Sequence, residues 1–240
     1  MDTPTPSLPP DPSPPGAAAS AYARVPVWDL PVRLVHWAIV LLLTALIITG
    51  KLGNEWLEWH MLFGKTMLVL VVFRVIWGFV GSHNARFVSF LRGPRAAAGY
   101  ARSLVHPPLA AHATHNPLGG WMAVVLLVAL TVQSLLGLFT NDDALWSGPF
   151  SERVAKTTTD DISTVHRQFW WVIVALSVIH IGAVLAYLKL GHNLVMPMLT
   201  GDKELPAAIA HPEHSAASTA KATALLLLCW LAVWLALNRL

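Results

Sequence analysis

Five stretches of this 240-residue chain are apolar over enough residues to cross a bilayer: about Val32 to Gly50, His60 to Val80, Leu118 to Thr140, Phe169 to Leu188, and Ala222 to Asn238. In hydrocarbon, each backbone N–H and C=O must be satisfied inside its own segment, so every stretch is predicted to be a helix. None shows the alternation of a membrane barrel. The expected fold is an all-α integral membrane protein: a four-helix transmembrane bundle plus a fifth, C-terminal transmembrane helix.

Composition narrows the chemistry. The chain is 55% hydrophobic and 12% charged, outside the range of an ordinary soluble domain. Its single cysteine, Cys229 in the last span, excludes an internal disulfide, a Cys-x-x-Cys-His haem attachment and a thiolate-held iron–sulfur cluster. Metal chemistry must therefore use histidine. The net charge of +3 comes from basic residues in loops between spans, which read as topology signals and not as a nucleic-acid surface.

Those loops predict an orientation. Arg86, Arg92, Arg95 and Arg102 lie between the second and third spans with no acidic residue, so this loop is expected in the cytoplasm. Asp142, Asp143, Glu152, Asp160 and Asp161 outnumber Arg153 and Lys156 in the next loop, which is expected outside. The N-terminus is then cytoplasmic and the C-terminus periplasmic. Residues 1–20 hold seven prolines and no apolar core of a signal peptide, and are expected to form a disordered cytoplasmic tail. Residues 21–201 form the expected four-helix membrane domain, and residues 202–240 a linker and the fifth helix.

An imidazole within a bilayer helix is costly unless it meets a partner. His166 and His180 are fourteen residues apart on span four, which leaves them only about 40° apart around the axis and roughly 21 Å apart along it. On the predicted topology His36, near the inner end of span one, matches the depth of His180. His60, near the outer end of span two, matches His166. Neutral imidazoles are good axial ligands for haem iron, and two of them close its coordination in favour of electron transfer. These four are the candidate iron ligands of two haems b. Arg74 shares the face of His60 fourteen residues on, and Arg33 precedes His36 by about one turn; both are candidate partners for haem propionates. For Arg33, a topology-setting flank is an equal alternative.

The remaining histidines, His83, His106, His112, His115, His192, His211 and His214, fall in inner loops and read as solvent-exposed. Irregular spacing and Pro107, Pro108 and Pro117 argue against a zinc site at His106, His112 and His115. Trp28, Trp56, Trp59 and Trp146 read as an interfacial aromatic belt.

The stretch Val27-Trp28-Asp29-Leu30-Pro31-Val32-Arg33-Leu34-Val35-His36-Trp37, the opening of span two at His60-Met61-Leu62-Phe63-Gly64, and Phe73-Arg74-Val75-Ile76-Trp77-Gly78-Phe79-Val80-Gly81-Ser82 resemble the bacterial cytochrome b561 family, especially its hydrogenase-type cytochrome b branch. His115-Asn116-Pro117-Leu118-Gly119, the His166 to His180 spacing and Asn193-Leu194-Val195-Met196-Pro197-Met198-Leu199-Thr200-Gly201 are similar too. The resemblance runs from about Val27 to Gly201. It implies a di-haem core in the bacterial inner membrane that passes electrons between the quinone pool and a redox partner, such as a hydrogenase-like dehydrogenase or a c-type cytochrome. The outer carboxylates Asp142, Asp143, Asp160 and Asp161 are candidate docking groups for the latter. Alternatives are a self-sufficient quinone-linked oxidoreductase acting on a small species such as superoxide, with Lys51 steering the anion against an acidic outer balance, and a haem-free anchor or transporter. No catalytic residue is singled out.

Overall fold

The computed structural model describes residues 22–104, 112–143 and 145–239. The expected proline-rich tail and His106, Pro107 and Pro108 lie outside the described residues. Five helices are long and apolar enough to cross a membrane: α1 (Leu30–Leu52), α2 (Leu57–Val80), α5 (Pro117–Gly137), α6 (Lys156–Lys189) and α8 (Thr219–Arg239). β1 (Tyr22–Pro26) precedes α1, and between the spans lie the short helices α3 (Phe87–Phe90), α4 (Pro94–Ser103) and α7 (Val195–Thr200), and β2 (Asp202–Pro206). The side where α1 begins, α2 ends and α8 begins is called near; the opposite side is far.

Local chemistry starts two of the spans. Asp29 caps α1 by accepting from the Val32 amide at 2.8 Å, and Pro31 follows where its missing N–H costs nothing. Asn116 and Pro117 repeat this arrangement at α5, with Asn116 Oδ1 accepting from Gly119 N at 2.7 Å. Helix α6 differs from the sequence expectation at its start. Its apolar span begins near Phe169, but the helix begins at Lys156, so the carboxylates Asp160 and Asp161 lie on a helical extension and not in a loop. The Lys156–Asp160 pair, four residues apart at 2.7 Å, fits that conformation.

Helix α2 is the centre of the bundle, in contact with α1, α5 and α8, while α6 packs chiefly on α5. One apolar cluster joins α1, α2 and α8 on the near side through Val32, Val35, Phe73, Trp77, Ala222 and Cys229. A second joins α2, α5 and α6 through Met67, Val71, Ala129, Leu130 and Ile173. The fifth helix thus covers α2 and buries its cysteine there.

The near side is closed by pairings the sequence did not advertise. β1 and β2 are antiparallel, in register from Tyr22 opposite Pro206 to Pro26 opposite Asp202. The Gly201 carbonyl accepts from Val27 N at 2.7 Å and Trp28 N at 3.1 Å. Gly201 ends α7 with φ +94°, a conformation that favours glycine, and a Cβ there would strike the Arg33 guanidinium. Trp28 is buried in this closure and is not part of an interfacial belt; Trp56 and Trp59 are exposed.

Candidate functional site

On the far side the structure brings two of the candidate ligands together. His60 in the first turn of α2 and His166 in α6 face each other with ring centres 6.3 Å apart and planes at 88°. A gap of this size suits one metal atom held between two imidazole nitrogens at about 2 Å each. His60 Nδ1 lies 3.1 Å from the Leu46 carbonyl. A carbonyl only accepts, so the proton sits on Nδ1 and Nε2 keeps its lone pair, the arrangement a metal-bound histidine needs. Thr49 Oγ1 adds a contact to the same nitrogen at 3.2 Å. Two glycines make room for the rings. A Cβ on Gly50 would come within 3.1 Å of His60 Cε1, and one on Gly137 within 3.1 Å of His166 Cε1. Gln133 Nε2 donates to the His166 carbonyl at 3.1 Å and ties α5 to α6 at this level.

On the near side, His36 on α1 lies within electrostatic reach of His180 on α6 and of Arg74 on α2. His36 Nδ1 and His166 Nδ1 are buried without a hydrogen-bond partner among the described residues. Leaving such an atom unsatisfied costs about 1–3 kcal/mol. The free Nε2 of His60 and the glycine recesses suit the far pair to an iron-centred cofactor.

Arg74 is buried, with Nη1 3.5 Å from the Ala85 carbonyl and the guanidinium 5.5 Å over the Phe87 ring. Its counter-charge is Asp29. That carboxylate caps α1 and also accepts from Trp77 Nε1 at 3.0 Å and Ser82 Oγ at 2.6 Å. Sequence reasoning did not single out Asp29; the signal was there in its place directly before Leu30-Pro31. Arg33 donates from Nη1 to the Thr200 carbonyl at 2.8 Å, while its Nε is buried without a partner among the described residues. Trp37 Nε1 reaches the Met198 carbonyl at 3.2 Å, so α7 leans on the start of α1 through both residues.

His115 corrects the expectation that loop histidines are exposed. Its ring packs between Trp28, at 4.9 Å, and Phe90, at 4.5 Å, and its Nδ1 is buried. Burial, followed by the nearby charges of Arg74, His180, His36 and Lys203, lowers its pKa to about 3. The chain folds back over it because Lys203 on β2 donates to the His112 carbonyl at 2.7 Å. A polar trio lies beyond His180 on the same helix: Tyr187 OH meets Tyr100 OH at 2.7 Å and accepts from Asn116 Nδ2 at 2.9 Å.

On the far side, Lys51 lies 4.1 Å over the Trp170 ring. Asp143 and Asp160 converge on Lys156 at 2.6 and 2.7 Å, and Asp142 accepts from the Leu145 and Trp146 amides. Three of the four carboxylates expected to dock a partner therefore hold their own loop.

The family model described as prokaryotic cytochrome b561 matches residues 27–201. A curated relative from Bradyrhizobium diazoefficiens, named a probable Ni/Fe-hydrogenase B-type cytochrome subunit, is 22% identical over 225 residues, covering 79% of this chain and 90% of its own. No solved structure matches the chain.

Proposed function

The chain belongs to the prokaryotic cytochrome b561 family, multi-pass membrane cytochromes that carry electrons on haem b, and from that premise we propose that it holds two b haems and passes electrons between the quinone pool and a membrane-associated redox enzyme. The observation that carries the reading is the His60–His166 pair, whose rings, more than a hundred residues apart in sequence, are brought to 6.3 Å between centres. His60 and His166 are the ligands of the far haem, and His36 and His180 those of the near haem.

When bound, the haems supply the one-electron redox change. The chain's own residues fix where it happens. Leu46 and Thr49 hold the His60 ring with its Nε2 inward. Arg74 supplies a buried cation for a near-haem propionate, balanced by Asp29. Arg33, with one face on Thr200, offers its Nε to the same side. Apolar side chains around the pairs keep the dielectric low.

Both irons have two histidine ligands on this reading, so a diffusible quinone exchanges electrons at a haem edge. We place that exchange near the Tyr100–Tyr187–Asn116 trio. Tyr187 follows His180 by seven positions, which puts the two on one face of α6, about 20° apart and roughly 10 Å along the axis. Phenol and amide groups at the rim of apolar helices are what quinone oxygens need. The arginine-rich near side is cytoplasmic. For the partner, a hydrogenase-like enzyme is favoured: the curated relative carries that association in its name, and three of the four far carboxylates are engaged within their own segment.

Pyridine haemochrome analysis tests the core of this reading and should find about two acid-extractable haems per chain, as non-covalent histidine ligation requires. His60→Ala and His166→Ala should lose the same haem; His36→Ala and His180→Ala the other. One haem per chain, or His36→Ala and His166→Ala removing the same haem, would refute it.

A further inference from the structure

The segment between β2 and α8 is unused by electron transfer, yet it concentrates histidine. Pro212–Ser215 forms a 3-10 turn with His211 as the residue before it. Three residues per turn place side chains i and i+3 directly above one another, so His211 and His214 stack with ring centres 4.8 Å apart and planes 27° apart. Glu213 lies beside both, its Oε1 3.2 Å from His211 Nδ1 and 3.8 Å from His214 Nε2. One ligand atom from each of the three residues falls within 4.8 Å of the others.

A second 3-10 turn, His83–Ala85 at the end of α2, packs against this one. It brings the His83 ring to 4.1 Å from His214. His83, His112, His115, His211 and His214 all line one cavity of about 310 Å³ on the near side. The two imidazoles of the turn therefore line a histidine-rich space, while Glu213 does not line it.

We propose that His211, Glu213 and His214 bind one divalent first-row transition-metal ion, zinc foremost, with the remaining coordination position open to the cavity. Two imidazoles and one carboxylate suit zinc, nickel or copper and are poor donors for calcium or magnesium, which take all-oxygen shells. Three protein ligands with an open fourth position is the pattern of an accessible zinc site. All three side chains are at least partly exposed, at 53%, 64% and 36%, so the small rotations that bring the donors to bonding distance meet little resistance. The bound ion would pin the turn that leads into α8 against the end of α2.

The test uses full-length, haem-loaded protein, stripped with EDTA and titrated with zinc chloride against a competing chromophoric chelator. Wild type should take up one zinc per chain with micromolar affinity, in addition to its haem iron. His211→Ala/His214→Ala, and separately Glu213→Gln, should weaken uptake by about tenfold or more with the haem spectrum unchanged. His192→Gln, an exposed histidine outside the turn, should bind as wild type does. Uptake that is absent in wild type, or that is the same in wild type and the double variant, would overturn the proposal.

Discussion

At the residue scale, the far site depends on two missing side chains as much as on two imidazoles. A methyl at Gly50 or Gly137 would press on His60 or His166 from 3.1 Å, closer than the rings can accept without shifting. Overpacking of this kind costs about 1–3 kcal/mol. Gly50→Ala and Gly137→Ala should therefore speed loss of the far haem by roughly tenfold, at 1.4 kcal/mol per decade, and leave the near haem in place, as haem-transfer kinetics followed by absorbance would show. Arg74 is the near-side counterpart. Removing one member of a poorly solvated charge pair leaves the other uncompensated, so Arg74→Leu should shift the near haem's midpoint potential or its retention. A redox titration in which neither haem moves would reduce Arg74 to a packing residue. His115 links residue to pH. Its pKa of about 3 in the fold lies below the ordinary 6.5, so between those values the unfolded chain binds a proton that the folded chain does not. Stability is then present above pH 6.5 and falls below it, at up to about 1.4 kcal/mol per pH unit. His115→Phe should flatten that part of the thermal stability profile between pH 7 and 5.

At the scale of elements, α2 organises the molecule. It carries one proposed ligand near its start and Arg74 near its end, and it shares its apolar surface with three other spans. Helix α8 covers the near half of α2 through Ala222 and Cys229, against the cluster that includes Phe73 and Trp77. Ending the chain before Thr219 would expose that cluster and loosen the end of α2 that carries Arg74. The truncated protein should lose its near haem at a lower temperature than its far haem, whereas equal loss of both would mean that α8 acts only through the membrane. The β1–β2 pair and the Gly201 carbonyl serve the same end of the bundle, tying the chain before α1 to the chain after α6.

For the whole molecule, the proposed topology puts the near, arginine-rich side in the cytoplasm and the far side outside. Impermeant thiol labelling of cysteines introduced near residue 92 and near residue 147 should find the first protected in intact cells and the second reactive, as the arginine-rich near loop implies. The count of spans, their helical nature, the helical spacing of His166 and His180 and the family likeness over residues 27–201 were all legible in the sequence. Hydrocarbon leaves a spanning segment no alternative but a helix, and fourteen residues return a helix to nearly the same face. Those are local rules, and the residues declare them locally. What the tertiary structure decided is non-local. Asp29, not singled out in the sequence, caps α1 and is the acceptor for Trp77 and Ser82; His115 reads as a loop histidine and is buried between Trp28 and Phe90; residues 202–206 read as linker and pair with residues 22–26. Each depends on a partner dozens to nearly two hundred positions away, and no periodicity within a segment reports which distant segment will cover it.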